Sequence, residues 1–339
     1  MPGPSMSHYS ICRSAIEQQL RNYGERLKNL ETGGSQRVII LTDDPGWHGA
    51  QLRDAFVARD IAPRFASLRE CSFDMDGSGR CVRLPGFDDS LPDGVFVRGV
   101  PGGTLEQVVL RLDLLHALKL MGVPVYNDGR AIERTVDKAM TSFVLSHAGL
   151  ATPPTWVVES QAAAASLARA EGAAGRELVF KPLFGSQGMG LKRIRSVADL
   201  PTAAQCDGVY YLQRYVASAA DAWQDWRVFV INNRAVAAMK RHGASWITNV
   251  SQGATCAPVD LGADEDVGAL AQKACRALQM DYAGVDLMRD ADGRLQVIEV
   301  NGIPAWKGLQ SVTRESIARL LVNDFVDRYL GRPALHSVA

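Results

Sequence analysis

The chain has 339 residues, 47% of them hydrophobic, which is enough for two or three lobes with their own cores. Its 37 basic and 37 acidic residues give a net charge of zero, so no bulk field favours a nucleic acid or an anionic membrane. No apolar run approaches the roughly 18 residues of a membrane span. The first ten residues are polar and have no charged-then-apolar pattern, so we expect no secretion signal there. Because the six cysteines form no CxxC pair, we expect reduced thiols in a cytoplasmic protein.

The first part of the sequence predicts an N-terminal extension over residues 1–35 and a small open α/β domain over residues 36–128. The extension has helical spacing over Ile16–Leu30. In the domain, buried-type strands alternate with amphipathic helices, which is typical of a parallel α/β layer. The predicted elements are strands over Val38–Leu41, Gly94–Gly99 and Val123–Tyr126, helices over Gln51–Arg59 and Thr104–Met121, and a hairpin over Cys71–Leu84. No GxGxxG motif follows the first strand, so we expect no dinucleotide site there.

Residues 129–333 predict a second domain, with a small lobe over about residues 151–209. The domain opens with a helix over Thr135–His147, which carries Lys138 near its start. The elements predicted in the lobe are strands over Trp156–Ser160, Glu177–Lys181 and Leu191–Arg195 and a helix over Gln161–Ala170. We expect the next strand, Tyr210–Val216, to leave the lobe and return to the main body.

A glycine-rich turn, Gly185–Gly190, follows the strand that ends at Lys181. Glycine lets backbone amides approach a phosphate closely, and a lysine at the strand end supplies a point charge for that phosphate. The lysine precedes the glycines and no helix follows them, so the segment is not a P-loop. An ordinary turn is the alternative, since most isolated glycine loops have no ligand.

The remaining segments predict an antiparallel sheet with helices behind it. The predicted elements are a hairpin over Asp225–Lys240 that turns at Asn232-Asn233, helices over Asp264–Met280 and Arg314–Tyr329, and a second hairpin with strands Ala283–Met288 and Leu295–Val300. The Asp-Gly turn of the second hairpin is a strong signal for this structure.

Two carboxylates and an amide converge on the second hairpin. Pairing across its turn brings Asp286 beside Glu299 and Asn301, which share a face because they are two residues apart. Burying two carboxylates without a partner is costly, and Mg²⁺ offsets this cost because it prefers oxygen ligands. On their own, these residues indicate either a metal site or a set of solvated residues at a sheet edge.

Six motifs occur in the order in which ATP-grasp enzymes carry them. They are Asp137-Lys138, Phe180-Lys181-Pro182 with its glycine loop, Gln213–Val216, Asp225–Val230, Thr248-Asn249, and Gly284–Asp286 with Ile298–Asn301. Over about residues 90–330, the chain therefore resembles the RimK-like glutamate ligases, which attach amino acids to carboxylates. This resemblance implies a mixed α/β (α+β) ATP-grasp fold with an N-terminal open α/β domain, a small lid lobe and a C-terminal antiparallel-sheet lobe.

The resemblance also implies that ATP is bound. Lys138 and Lys181 are similar to the two lysines that contact its phosphates. The residues similar to the lid that closes over the phosphates are Gly185, Ser186, Gln187, Gly188 and Gly190. Those similar to the hinge whose backbone binds adenine are Gln213, Arg214, Tyr215 and Val216.

The metal and the reacting groups follow from the same resemblance. Asp286, Glu299 and Asn301 match the Mg²⁺ ligands, with two ions expected and Mn²⁺ able to substitute. The catalytic residues near the γ-phosphate and the acceptor are matched by Arg227, Arg241 and Asn249.

The chain departs from the family pattern at two places. Arg214 stands where the hinge usually carries an acidic residue, which puts side-chain contacts to adenine or ribose in doubt. After Asn301, Trp306 and Lys307 occupy a segment that differs from the usual one, and we expect them to shape the acceptor pocket. This segment is similar to that of ligases acting on tetrahydromethanopterin-type one-carbon cofactors.

The function implied is ATP-dependent amide formation. An acceptor carboxylate attacks the γ-phosphate to give an acyl phosphate, and the amine of an amino acid, glutamate in this family, displaces the phosphate. The implied partners are glutamate and a small-molecule carboxylate, such as a tetrahydromethanopterin-type cofactor or its precursor, with no nucleic acid and no membrane; a homo-oligomer is left open. An ATP-grasp phosphotransferase (kinase) and a non-catalytic ATP-binding protein are the alternatives.

Overall fold

The computed structural model describes residues 36–75, 81–185, 188–217 and 223–331. The predicted N-terminal extension and the turn at residues 76–79 lie outside these ranges. The chain divides into two compact units, one formed by residues up to Arg130 together with the segment from Ile317 onwards, the other by Ala131–Ser316. The predicted domain ranges 36–128 and 129–333 and the lid lobe over about 151–209 stay predictions.

The first unit is built on a four-stranded parallel sheet. The strands described in this unit are β1 (Val38–Leu41), β2 (Arg64–Ala66), β3 (Ser72–Phe73), β4 (Val82–Arg83), β5 (Gly94–Val97) and β6 (Val125–Tyr126). The sheet order is β2-β1-β5-β6, while β3 and β4 form the predicted antiparallel hairpin. All residues of β1 and β5 are buried, as expected for strands covered on both faces. Strand β2 was not predicted, because its three residues are too few to show a period.

The described residues of this unit also form three α-helices: α1 (Gly46–Val57), α2 (Leu105–Leu120) and the helix Ile317–Phe325, which a π-helical turn over Val326–Leu330 extends. An aromatic cluster joins the last helix to the sheet, with ring centroids of Phe56, Phe96 and Tyr126 between 5.4 and 5.9 Å from that of Phe325. This helix was predicted over Arg314–Tyr329, and in the structure it begins three residues later, at Ile317.

The helix predicted over Thr135–His147 is wrong as a single element. The chain forms α3 (Gly129–Val136) and α4 (Lys138–His147), which Asp137 separates with extended backbone angles. The carboxylate of Asp137 accepts hydrogen bonds from the N–H groups of Ala139 and Met140, so it caps α4. This cap fixes Lys138 as the first residue of the helix.

The next part of the second unit is a four-stranded antiparallel sheet backed by a helix. Its elements are β7 (Thr155–Val158), α5 (Gln161–Ala173), β8 (Leu178–Lys181), β9 (Lys192–Ile194) and β10 (Tyr210–Arg214). The order is β7-β10-β8-β9, so the prediction that Tyr210–Val216 returns to the main body is wrong. Consecutive residues of a strand point to opposite faces, and Tyr210, Tyr211 and Leu212 of β10 are all buried. Both faces of β10 are therefore covered, as expected for a central strand.

A five-stranded antiparallel sheet forms the rest of this unit. Its elements are β11 (Gln224–Ile231), β12 (Arg234–His242), β13 (Thr255–Pro258), α6 (Glu265–Leu278), β14 (Tyr282–Arg289), β15 (Leu295–Asn301) and α7 (Lys307–Gln310). The order is β13-β12-β11-β14-β15, and α6 packs on one face. Asn232 and Asn233 adopt positive φ angles of 48° and 59°, as the predicted hairpin turn requires. Strand β13 was not predicted.

The described residues include five of the six cysteines. The five cysteines in these ranges are all free, as predicted. Within the same ranges, the helices are all too short or too polar to cross a membrane.

Candidate active site

A cleft in the second unit is lined by residues from both of its sheets, from α4 and from the loops that follow β8 and β12. The predicted site residues in its lining are Lys138, Lys181, Gly185, Gly188, Gln213, Arg214, Tyr215, Val216, Arg241, Asn249, Asp286 and Glu299. Gly190, Arg227 and Asn301 lie outside this lining, and Ser186 and Gln187 lie outside the described residues.

The β14–β15 hairpin places the predicted oxygen ligands together. Asp286 pairs directly with Glu299, and Gly284 pairs with Asn301. The register shifts between Asp286 and Leu287, because Ile298 is an extra residue on β15. This irregularity lets the consecutive residues Ile298 and Glu299 both line the cleft, although strict alternation would place them on opposite faces.

A network of buried charges surrounds Asp286. Arg227, its direct partner on β11, donates through Nε and Nη2 to the two carboxylate oxygens, the second bond being 2.7 Å long. Arg241 Nη2 lies 3.0 Å from Asp286 Oδ2. Burial opposes ionisation of Asp286, but the charges of Arg227 and Arg241 outweigh it and hold its pKa below the usual value.

Asp225 holds Arg241 in this position. Arg241 donates to the two carboxylate oxygens of Asp225 at 2.5 and 2.7 Å, and the hydroxyl of Thr248 donates to the same carboxylate. Asp225 and Arg241 are only 5% and 4% exposed, so this pair is shielded from solvent. Asp225 belongs to one of the predicted motifs, but this contact with Arg241 was not predicted.

Two lysines bring positive charge to the cleft. Lys138 Nζ donates to the carbonyl oxygen of Gly185 at 2.8 Å, and Lys181 Nζ donates to Oε1 of Gln213 at 2.7 Å. In the described part of the chain, neither ammonium has a carboxylate at ion-pair distance. Burial lowers the pKa of both lysines, that of Lys181 to about 8, and the carboxylate of Glu299 partly offsets this effect.

The segment predicted as the hinge, Gln213 to Val216, lines the cleft. The N–H groups of Arg214 and Tyr215 donate to the carbonyls of Pro154 and Glu177, at 2.8 and 2.9 Å. Among the described residues the N–H of Val216 has no such partner, so it is the hinge amide left for a ligand. A backbone N–H that is left for a ligand can donate a hydrogen bond to the edge of a flat base such as adenine.

The side chain of Arg214 serves a different purpose. Its guanidinium donates to both carboxylate oxygens of Glu171 on α5, at 2.8 and 3.1 Å. Arg176 also donates to both oxygens, and the hydrogen bonds from the two arginines lower the pKa of Glu171 to about 2. The arginine that departs from the family pattern therefore takes part in an ion pair within the lobe of β7–β10.

Close packing requires glycine at two positions of the glycine-rich turn. Gly188 and Gly190 both have a φ of +72°, in the left-handed region. A Cβ on Gly188 would lie 2.7 Å from Oδ1 of Asn249, and one on Gly190 would lie 2.7 Å from Cγ of Pro182. The turn thus approaches the segment that carries Asn249 too closely for a side chain.

The donor chemistry of the hairpin fits Mg²⁺. Glu299 has no hydrogen bond or ion pair among the described residues, and the buried amide nitrogen of Asn301 has no partner there either. In these ranges no three His, Cys, Asp or Glu side chains cluster as a metal site. The third donor predicted on this hairpin is an amide, that of Asn301, and its role as a ligand stays a prediction. Both oxygens of Asp286 are shared with arginines, but a carboxylate has about four lone-pair sites and can accept a cation as well.

Several residues of the cleft were not predicted as site residues. They include the apolar side chains Val179, Leu191, Trp246, Met288 and Ile298 and the polar residues Asp225 and Thr248. In the sequence, most of them are ordinary strand residues, and the irregularity that exposes Ile298 has no sequence signal. Trp306 was expected at the acceptor pocket, but it is fully buried and packs edge to face on Phe229, and neither Trp306 nor Lys307 lines the cleft.

Comparisons with known proteins identify the family of this chain. Residues 135–324 match the family model of the RimK-like ATP-grasp domain. A tetrahydromethanopterin:alpha-L-glutamate ligase of Methanococcus maripaludis is 34% identical over 302 residues, which cover 85% of this chain and 97% of the relative. A probable alpha-L-glutamate ligase of Saccharophagus degradans is 27% identical over 300 residues, covering 86% of this chain and 95% of the relative.

Solved structures agree on the fold. The ATP-grasp ligase PsnB, complexed with a minimal precursor, has a TM-score of 0.65 at 18% identity, covering 86% of this chain and 99% of that chain. The fold is therefore that of the ATP-grasp ligases, as the sequence predicted. This chain belongs to the RimK-like ATP-grasp family, and it is an ATP-dependent ligase.

Proposed function

We propose that the enzyme joins the amino group of L-glutamate to the carboxylate of a small-molecule acceptor. The names of its relatives support glutamate as the amino acid. Relatives of 34% identity from two methanogens are named for tetrahydromethanopterin, so a pterin-type one-carbon cofactor or its precursor is the acceptor class we propose. The free cysteines support a cytoplasmic location.

One observation carries the proposal: two lysines and a buried arginine line the same cleft as the carboxylates of Asp286 and Glu299. The lysines suit the phosphates of ATP, and the carboxylates suit a cation bound to those phosphates. A site of this kind needs no protein nucleophile, because positioning and charge stabilisation are sufficient for phosphoryl transfer.

In the first step, an acceptor carboxylate oxygen attacks the γ-phosphorus of ATP. A carboxylate–phosphorus bond forms while the bond from phosphorus to the bridging oxygen breaks, and ADP leaves with the electron pair. Lys138 and Lys181 hold the phosphates, and the N–H of Val216 holds the base. Arg241, with Arg227 and Asn249 nearby, stabilises the charge on the migrating group.

In the second step, the free amine of glutamate attacks the acyl carbon, and phosphate leaves with the electron pair of the carbon–oxygen bond. The amine nitrogen loses a proton to the departing phosphate and becomes the amide nitrogen. Asp286, Glu299 and Asn301 would hold Mg²⁺, which neutralises phosphate charge when it is bound. We propose two ions, and Mn²⁺ as a substitute.

Incubating the protein with Mg-ATP, glutamate and tetrahydromethanopterin tests the function. We expect ADP and free phosphate in equal amounts, and a product heavier than the acceptor by one glutamyl residue. A phosphorylated acceptor would identify a phosphotransferase, and no turnover with several pterin or carboxylate acceptors would indicate a binding protein. Omitting glutamate is the control, because a ligase then forms no amide.

A further inference from the structure

The side chain of Gln213 lies in a continuous chain of hydrogen bonds. Its Oε1 accepts from Lys181 Nζ at 2.7 Å, and its Nε2 donates to the hydroxyls of Thr155 and Tyr211 at 3.0 and 3.2 Å. The Tyr211 hydroxyl is in turn 2.7 Å from that of Ser142. Gln213 is 4% exposed, so water cannot replace these bonds easily.

The partners of Gln213 leave its amide one satisfactory orientation. The hydroxyl of Thr155 donates its proton to the carbonyl of Pro153 at 2.9 Å, so it can only accept from Gln213. A flipped amide would place its NH₂ group against the ammonium of Lys181, and both groups are donors. Its carbonyl oxygen would face a Thr155 oxygen that has no proton to offer.

This orientation gives Lys181 a fixed and neutral acceptor. An ammonium has three N–H donors, and the amide oxygen of Gln213 engages one of them. Because the acceptor carries no charge, it directs the ammonium without neutralising it. A carboxylate at the same place would cancel the charge needed for a phosphate, and no acceptor at all would leave the side chain free to rotate.

We propose that Gln213 is a positioning residue for Lys181, and that Thr155 and Tyr211 set the orientation of its amide from outside the cleft. This inference rests on the proposed function, in which Lys181 binds a phosphate of ATP. Neither residue lines the cleft itself, and Thr155→Val leaves its lining unchanged. Tyr211 borders a smaller cavity that shares Lys138, Lys181 and Glu299 with the cleft, so Tyr211→Phe removes a hydroxyl but keeps the ring there. The arrangement extends the nucleotide site to the β7 and β10 positions behind it.

Thr155→Val and Tyr211→Phe test the proposal by calorimetric titration with Mg-ATP. We expect each substitution to weaken binding about 3- to 10-fold, the scale of one lost hydrogen bond. Thr155→Ser, which keeps the hydroxyl, should restore wild-type affinity, and the KM for glutamate should stay unchanged. Tyr210→Phe is the matched control, because this neighbour on β10 has its hydroxyl outside the network. Affinities of Thr155→Val and Tyr211→Phe equal to that of Tyr210→Phe would overturn the proposal.

A double-mutant cycle separates this inference from the proposed function. If Thr155 acts through Lys181, Thr155→Val should weaken binding in the wild type and have no further effect in Lys181→Met. Equal losses in both backgrounds would overturn the positioning role. If Lys181→Met itself binds Mg-ATP as tightly as the wild type, the proposed function of Lys181 fails, whatever the Thr155 variants do.

Discussion

The buried pair of Asp225 and Arg241 gives the most quantitative prediction. Asp225→Asn keeps the size of the side chain but removes one charge of a pair that is about 5% exposed. Arg241 then depends on Asp286 alone, a carboxylate that already accepts two bonds from Arg227. Removing one partner of a buried ion pair costs about 3–5 kcal/mol of folding free energy, and the remaining contact with Asp286 places the expected loss near 3 kcal/mol.

Urea unfolding, monitored by circular dichroism, measures this loss. We expect a lower urea concentration at the midpoint of unfolding and an unchanged dependence of the unfolding free energy on urea. Thr248→Val is the control, because it removes a single hydrogen bond to the same carboxylate and should cost about 1 kcal/mol. A loss for Asp225→Asn no larger than that for Thr248→Val would refute the view that Asp225 anchors Arg241. The variant should also turn over slowly, since Arg241 is no longer held at the cleft.

Three further predictions concern ligand binding. Mg-ATP affinity should fall as pH rises through about 8, because Lys181 loses its proton there and only the ammonium pairs with phosphate; a flat affinity profile would exclude this assignment. Glu299→Gln should keep its melting temperature but lose most turnover, and near-normal rates at saturating Mg²⁺ would remove Glu299 from the metal site. Gly188→Ala should weaken ATP binding through its clash with Asn249, whereas Gly175→Ala, with a φ of +68° and open space around it, should not; equal affinities of the two variants would count against the close approach.

The residues within one hairpin were predictable from sequence because their contacts are local. The Asp-Gly turn and the alternation of side chains were enough to place Asp286 beside Glu299. The two asparagines of the preceding turn were recognised in the same way, since their type fits positive φ angles. Lys138 was expected early in its helix, although the capping role of Asp137, which ends one helix and starts the next, was missed.

The long-range contacts could not be predicted in this way. The pairing of Arg227 with Asp286 depends on the register between β11 and β14, which are separated by about fifty residues in sequence, and no local pattern sets that register. For the same reason, β10 was assigned to the wrong sheet, because an apolar strand fits the centre of either one. The network around Gln213 joins three strands and a helix, so it becomes visible only in the folded chain.

The acyl-phosphate route is the central claim, and isotope transfer tests it most directly. The acceptor is labelled with a heavy oxygen isotope in its carboxylate and is then turned over with unlabelled ATP and glutamate. The account predicts that each amide formed is accompanied by one labelled oxygen in the released phosphate, because that oxygen bridges carbon and phosphorus in the intermediate. Amide product with entirely unlabelled phosphate would contradict it.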